Sequence, residues 1–149
     1  MMMTKDHRIF LLVGCPLLYF NMKCISLKQP YAEMLAIGKK IIECRKWNTK
    51  FRGDFLVHAS KTIDMKACEY YRVNSNDVVK GSIIGKAKLY GVKKYQNYQE
   101  YFSDIDKHFS LSPYLYKIIY GFLITDAIQF EQSIPYKGQL GFFEVDEFK

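Results

Sequence analysis

From Val78 to Tyr95 the chain reads as β-strand, yet Gly81, Gly85 and Gly91 interrupt it. Glycines inside a strand mark bends, bulges or a close approach of another backbone, because no Cβ stands in the way. Such bends are what the corners of a barrel require. Further strand-like segments lie at Met22–Leu27, Lys40–Trp47, Asp54–Ala59, Tyr116–Thr125, Ala127–Phe130 and Gly141–Val145. Helical segments are fewer. Tyr31–Ile37 follows Pro30, which suits a first helical turn, and stops at Gly38. Lys61–Tyr71 reads as a helix capped by Ser60 or Thr62, and Tyr98–His108 as helix or loop. Strands and helices do not alternate regularly. The pattern predicts an α+β barrel of about six strands with two or three helices packed at its side, rather than a doubly wound sheet.

A chain of 149 residues fits one domain. No repeat or low-complexity tract divides it, so a single domain is expected over 22–149. Ahead of it, Ile9–Phe20 is an apolar run broken by Pro16 and too short to span a bilayer. Residues 1–21 are read as an N-terminal extension, either a mis-assigned start before Met22 or a loosely packed tail. Cys15, Cys24, Cys44 and Cys68 form no CxxC pair, and His7, His58 and His108 complete no zinc spacing. The expectation is free thiols in a reducing cytoplasm, with no metal and no cofactor.

The formal net charge is +7, unevenly spread. Residues 22–61 carry nine Lys/Arg against three acids, and residues 80–94 carry five Lys and no acid. Residues 95–149 reverse the balance, with four Lys against eight acids. If the two basic segments meet in the fold, they make a positive surface whose natural partner is a polyanion such as RNA.

Alternation along Lys40–Trp47 puts Ile41, Glu43, Arg45 and Trp47 on one strand face. The plainer reading is an ion pair bracing the strand, with the indole as packing. The functional reading is that Arg45 holds a phosphate and Trp47 stacks a base. Lys28, Lys39, Lys40, Lys50 and Arg52 flank this face as a phosphate-tracking rim. Any one of them alone is more simply a solvated lysine or arginine. Gln29 and Asn48 can read base edges, and Tyr31 can stack or fill core. His58 and Ser60 share a strand face. The plainer reading makes His58 a hydrogen-bonded interior residue and Ser60 a helix cap.

An ordered series of short motifs resembles the ASCH family (activating signal cointegrator homology). Gln29-Pro30-Tyr31-Ala32 is followed by Gly38-Lys39-Lys40, then by Glu43-Cys44-Arg45. Trp47-Asn48-Thr49-Lys50-Phe51-Arg52-Gly53, Phe55–Ser60 ending in His-Ala-Ser, Ser82-Ile83-Ile84-Gly85 and Tyr136-Lys137-Gly138 continue it. The resemblance covers roughly Met22 to Val145. It implies a PUA-like β-barrel, small and stand-alone, with a cleft beside the first helix and an RNA- or nucleotide-related role.

Three function classes follow. The first is an RNA-binding domain with a basic cleft, in RNA processing, translation or transcription coregulation. The second is a metal-independent hydrolase on a modified nucleoside or RNA. Some family members are amidohydrolases with a G-x-K-x-x-T-x-R motif and a Glu farther along the chain. Here Lys40 matches the Lys, but Glu43 stands where the Thr would be, and only Glu100 offers itself as the distal Glu. Lys40 and Glu43 are thus the catalytic candidates if there is catalysis. The third class is a protein-interaction module using Tyr90–Tyr101.

Overall fold

A computed structural model describes residues 19, 21–114 and 118–146. Among the described residues ten elements follow one another: β1 (Lys23–Gln29), α1 (Tyr31–Ala36), β2 (Ile42–Arg45), β3 (Gly53–Ile63), α2 (Met65–Tyr70), β4 (Ser82–Tyr95), α3 (Tyr98–Ser103), α4 (Ile105–His108), β5 (Ile119–Pro135) and β6 (Phe142–Glu144). The strands form one sheet in the order β2-β5-β4-β3-β1-β6. Only β1 and β3 run parallel; every other neighbouring pair is antiparallel.

Both sides of the sheet are covered, which explains the unbroken apolar runs. Neighbouring residues point to opposite sides. Ile25, Phe55, Val57 and Ile84 join α1's Ala32, Leu35 and Ala36 in one core. Cys24, Leu56 and Ile83 face the other way, into a second core with Phe130, Ile134 and Phe143. Tyr19 belongs to this second core, its ring stacked on Phe130 at 5.4 Å. The other residues of the proposed 1–21 extension, apart from Asn21, lie outside the described residues.

The edge strands β2 and β6 share no ladder, so hydrogen bonding does not close the sheet into a ring. Side chains cross the gap instead. Trp47, just past β2, sets its ring edge against Phe142 of β6 at 5.9 Å and against Phe122 of β5 at 5.2 Å. Arg45 Nη2 donates to the Ser26 carbonyl of β1 at 2.9 Å.

Several elements differ from expectation. The described residues hold four short helices instead of two or three, because the segment 98–108 breaks at Asp104. No helix among them is long and apolar enough to cross a membrane. The helix expected over Lys61–Tyr71 is only Met65–Tyr70. Strand β3 runs on through Ser60–Ile63, where Ile63 still pairs with Gln29, and the cap is Asp64, whose Oδ1 accepts from Ala67 N at 3.0 Å. The two strands expected over 116–130 are one strand, β5, with Asp126 (φ 54°) absorbing a local irregularity. Lys40–Trp47 contributes a ladder only over Ile42–Arg45.

Candidate functional site

A cleft of about 500 Å³ opens between the β1–α1 junction, β2 and the segment after α4. Ser26, Leu27, Lys28 and Tyr31 line it from the first, and Lys40 with Glu43–Trp47 from the second. Tyr101, Ser110, Ser112 and Pro113 close the third side, and Asp64 and Ile119 also line the cleft. A volume of this order suits a small ligand or one nucleotide unit.

The chain turns into the cleft at Gly38. Its φ of +83° ends α1, with Gly38 N donating to Leu35 O and Lys39 N to Met34 O. The turn brings Lys40 inward until its side chain is 2% exposed. Its ammonium donates to the carbonyls of Ile42 (2.7 Å) and His108 (2.6 Å) and pairs with Glu43 Oε1 at 3.1 Å. Those three partners match the three donors an ammonium has. Glu43 Oε2 in turn accepts from Arg45 Nε at 2.8 Å and Nη2 at 2.7 Å. Burial pushes the Glu43 carboxyl up, but the Lys40 and Arg45 charges and hydrogen bonds outweigh it and hold it below its ordinary 4.5. Arg45 spends Nε and Nη2 on Glu43 and Ser26; no hydrogen bond uses Nη1 among the described residues.

The third wall is fixed by His108. Ser110 N donates to its Nδ1 at 3.0 Å, so the ring proton sits on Nε2 and is donated to the Tyr101 carbonyl at 2.7 Å. The Tyr101 ring stacks on the imidazole at 4.4 Å, and its hydroxyl donates to Ser112 O at 3.2 Å.

Of the residues singled out in the sequence, Lys28, Tyr31, Lys40, Glu43, Arg45 and Trp47 meet in this cleft. The others lie elsewhere. Gln29 is buried, its amide donating to Val79 O and accepting from Glu33 N, so it staples β1 to α1. Lys39 is exposed above the Phe109 ring, and Asn48 Oδ1 accepts from Thr49 N. Lys50 and Arg52 are exposed on the loop that follows, where Arg52 donates to the carbonyls of Thr49 and Phe51. Ser60 donates to Thr62 O. His58 is buried; its Nε2 donates to Tyr136 O at 2.7 Å and its Nδ1 accepts from Ser26 Oγ at 2.8 Å. This Ser–His pair has the look of a nucleophile and base. However, a Cβ on Gly138 would stand 3.0 Å from the Ser26 hydroxyl and 2.8 Å from the imidazole, so the Gly138 backbone roofs it over. Glu100 is exposed and accepts from Gln96 N, so it does not reach the cleft. The lysines of 80–94 do not line the cleft either; Lys86 pairs with Asp54 and Lys93 with Asp104. Within Tyr90–Tyr101, Tyr90 and Tyr98 are exposed while Tyr95 and Tyr101 are buried.

Lys46, Asp64, Tyr101, Ser110 and Ser112 are among the lining residues the sequence did not suggest. Alternation puts Lys46 on the face opposite Arg45 and Trp47, and Asp64 carried a signal, a helix-capping residue three positions before Ala67; Tyr101, Ser110 and Ser112 come from a segment that only the fold brings here.

The arrangement favours holding an anion over making or breaking bonds. Glu43 is fixed between two cations and is a weak base. Burial raises the Cys44 thiol to about 12, so it is not a thiolate at neutral pH. A second hollow of about 530 Å³ is lined by Gly38, Ile41, Tyr90 and Ile124–Ala127, and among the described residues Lys40 and Asp126 are its charged ones.

The ASCH domain profile matches residues 25–134. A crystal structure of an ASCH protein from Zymomonas mobilis superposes with a TM-score of 0.59 at 16% identity, over 84% of this chain and 87% of that one. A serine-to-alanine variant of the Zymomonas mobilis protein gives 0.53 at 14% identity, over 85% and 89%. Its tyrosine-to-phenylalanine variant gives the same score and identity over 84% and 90%. No curated protein sequence matches the chain. The structural likeness bears on the fold, and the profile spans well over half of the sequence; the chain belongs to the ASCH domain family.

Proposed function

We propose that this protein is a cytoplasmic RNA-binding domain that takes one nucleotide unit of a single strand into the cleft beside α1. One observation carries this reading. Lys28, Lys40, Arg45 and Lys46 meet there against Glu43 and Asp64, beside the rings of Tyr31, Trp47 and Tyr101. Cations track phosphate and aromatic faces stack bases, the combination that single-strand recognition uses. Lys28 and Lys46 are exposed and make no ion pair among the described residues, so their charge is available. In this reading the domain is one PUA-like barrel over 22–149, whose last seam is bridged by Arg45 and Trp47. Residues 1–21 are an extension to it.

The test is a titration with single-stranded RNA at several salt concentrations. Affinity should fall with salt, and Lys46→Ala should flatten the log–log slope by about 0.7 for the one phosphate contact removed. A slope that Lys46→Ala leaves unchanged would remove Lys46 from the interface. Binding insensitive to salt would sink the reading.

A hydrolase acting on a modified nucleoside keeps one observation in its favour: Lys40 and Glu43 both line the cleft, 3.1 Å apart. It predicts a new product from incubated nucleosides, lost in Glu43→Gln with the fold intact.

A further inference from the structure

Strand β1 anchors two cleft residues of opposite charge. Arg45 is pinned to the Ser26 carbonyl at 2.9 Å, next to Lys46. Asp64 is pinned through its backbone N–H to the Gln29 carbonyl at 2.8 Å. Ser26 and Gln29 are three residues apart, ~10 Å along the strand at about 3.3 Å per residue, with their carbonyls on opposite edges of β1. A nucleotide has a comparable reach from its phosphate to the far edge of its base, and Lys28, between the two anchors in sequence, also lines the cleft.

The two oxygens of Asp64 have different work. Oδ1 caps α2 by accepting from Ala67 N at 3.0 Å. Oδ2 has no hydrogen-bond partner among the described residues, and Asp64 lines the cleft together with Tyr31 and Tyr101. A carboxylate oxygen accepts and cannot donate. Beside two aromatic rings, it suits a base edge bearing an exocyclic amino group and repels one bearing a carbonyl.

Building on the nucleotide-binding reading above, we infer that the cleft selects its base: Asp64 accepts from the amino group of cytosine, adenine or guanine and disfavours uracil, while Arg45 holds the phosphate at the other anchor. The helix cap makes this unusually open to test. In Asp64→Asn the amide oxygen is kept at the cap, where Asn serves as well as Asp. The cleft then meets an NH2 in place of Oδ2. That group donates to the O4 of uracil and meets the amino group of cytosine donor to donor.

The experiment compares cytidine and uridine monophosphates, which differ at that exocyclic group and in the proton that uracil carries on the adjacent N3. Wild type should bind the cytidine nucleotide on the order of tenfold more tightly. Asp64→Asn should abolish or invert the ratio with an unchanged urea midpoint. Asp64→Ser keeps a capping oxygen but no second polar atom, and should lose the preference without gaining one for uridine. If wild type binds both nucleotides equally and both respond to Lys46→Ala, the base-selection inference is wrong and the RNA-binding reading stands. A ratio that survives Asp64→Asn also overturns the inference. If wild type binds neither nucleotide nor single-stranded RNA, both are wrong.

Discussion

An ammonium placed as deeply as that of Lys40 needs a partner for every donor and a counter-charge; here two carbonyls and Glu43 surround it. Glu43 also anchors Arg45, so one carboxylate orients two cations. Glu43→Gln keeps the shape but leaves Lys40 without a counter-charge. Breaking a buried pair in this way should cost about 3 kcal/mol, read as a lower urea midpoint at pH 7. The pH dependence has a definite sign. The folded Glu43 carboxyl titrates below its ordinary 4.5, so its contribution is complete above about pH 4.5 and is lost as pH falls through the folded value. The gap between wild type and Glu43→Gln should therefore be constant from pH 8 to about pH 5 and close below pH 4.5. A gap unchanged at pH 3 would mean that the charge on Glu43 is not what holds Lys40.

At the scale of elements, strand β4 explains what its glycines are for. Its ladder with β5 slips three times, between Ile83 and Gly85, between Lys86 and Lys88 and between Leu89 and Gly91, and two of the three slips end at a glycine. A Cβ on Gly85 would stand 2.5 Å from the Ile128 carbonyl and 3.1 Å from Ala36 Cβ, so the site is closed by backbone on one side and by α1 on the other. Gly85→Ala should destabilise by about 2 kcal/mol, measured by urea unfolding, with an unchanged slope. The bends of β4 were legible because glycine inside a strand has few other uses. So was the β1–α1–β2 unit, where Pro30, Gly38 and the alternation of residues 40–47 are all local signals. The extension of β3 was not legible. Ser60-Lys61-Thr62 has the composition of a helix cap, and only pairing with the end of β1 makes it strand. The continuity of β5 was hidden for a related reason: Asp126 looks like a stop, and the ladder on either side carries the strand past it.

At the scale of the whole molecule, the site was half visible. Its β1 and β2 walls are contiguous in sequence and chemically conspicuous. Its third wall is Tyr101, Ser110, Ser112 and Pro113, brought opposite β2 by α3, α4 and the His108 hydrogen bonds, and no pattern in one sequence announces such a juxtaposition. Some polar residues near the expected site hold the frame instead: Gln29 and His58 are buried and spend their polar atoms on backbone and on Ser26. Trp47 belongs to both groups, lining the cleft while wedging Phe122 and Phe142 where β2 and β6 fail to pair. Trp47→Ala should lower stability by about 3 kcal/mol as well as weaken binding, whereas Lys46→Ala should affect binding alone. Equal urea midpoints for Trp47→Ala and wild type would show that the seam does not depend on the indole.

Trp47 is also the only tryptophan in the chain. The native protein therefore carries one indole, excitable to the red of its twelve tyrosines, facing its candidate ligand on one side and its weakest sheet boundary on the other. A base seated in the cleft would quench its emission with little change of wavelength. Opening of the seam would expose it to water and shift the emission to the red, so occupancy and integrity can be followed separately in one unlabelled sample.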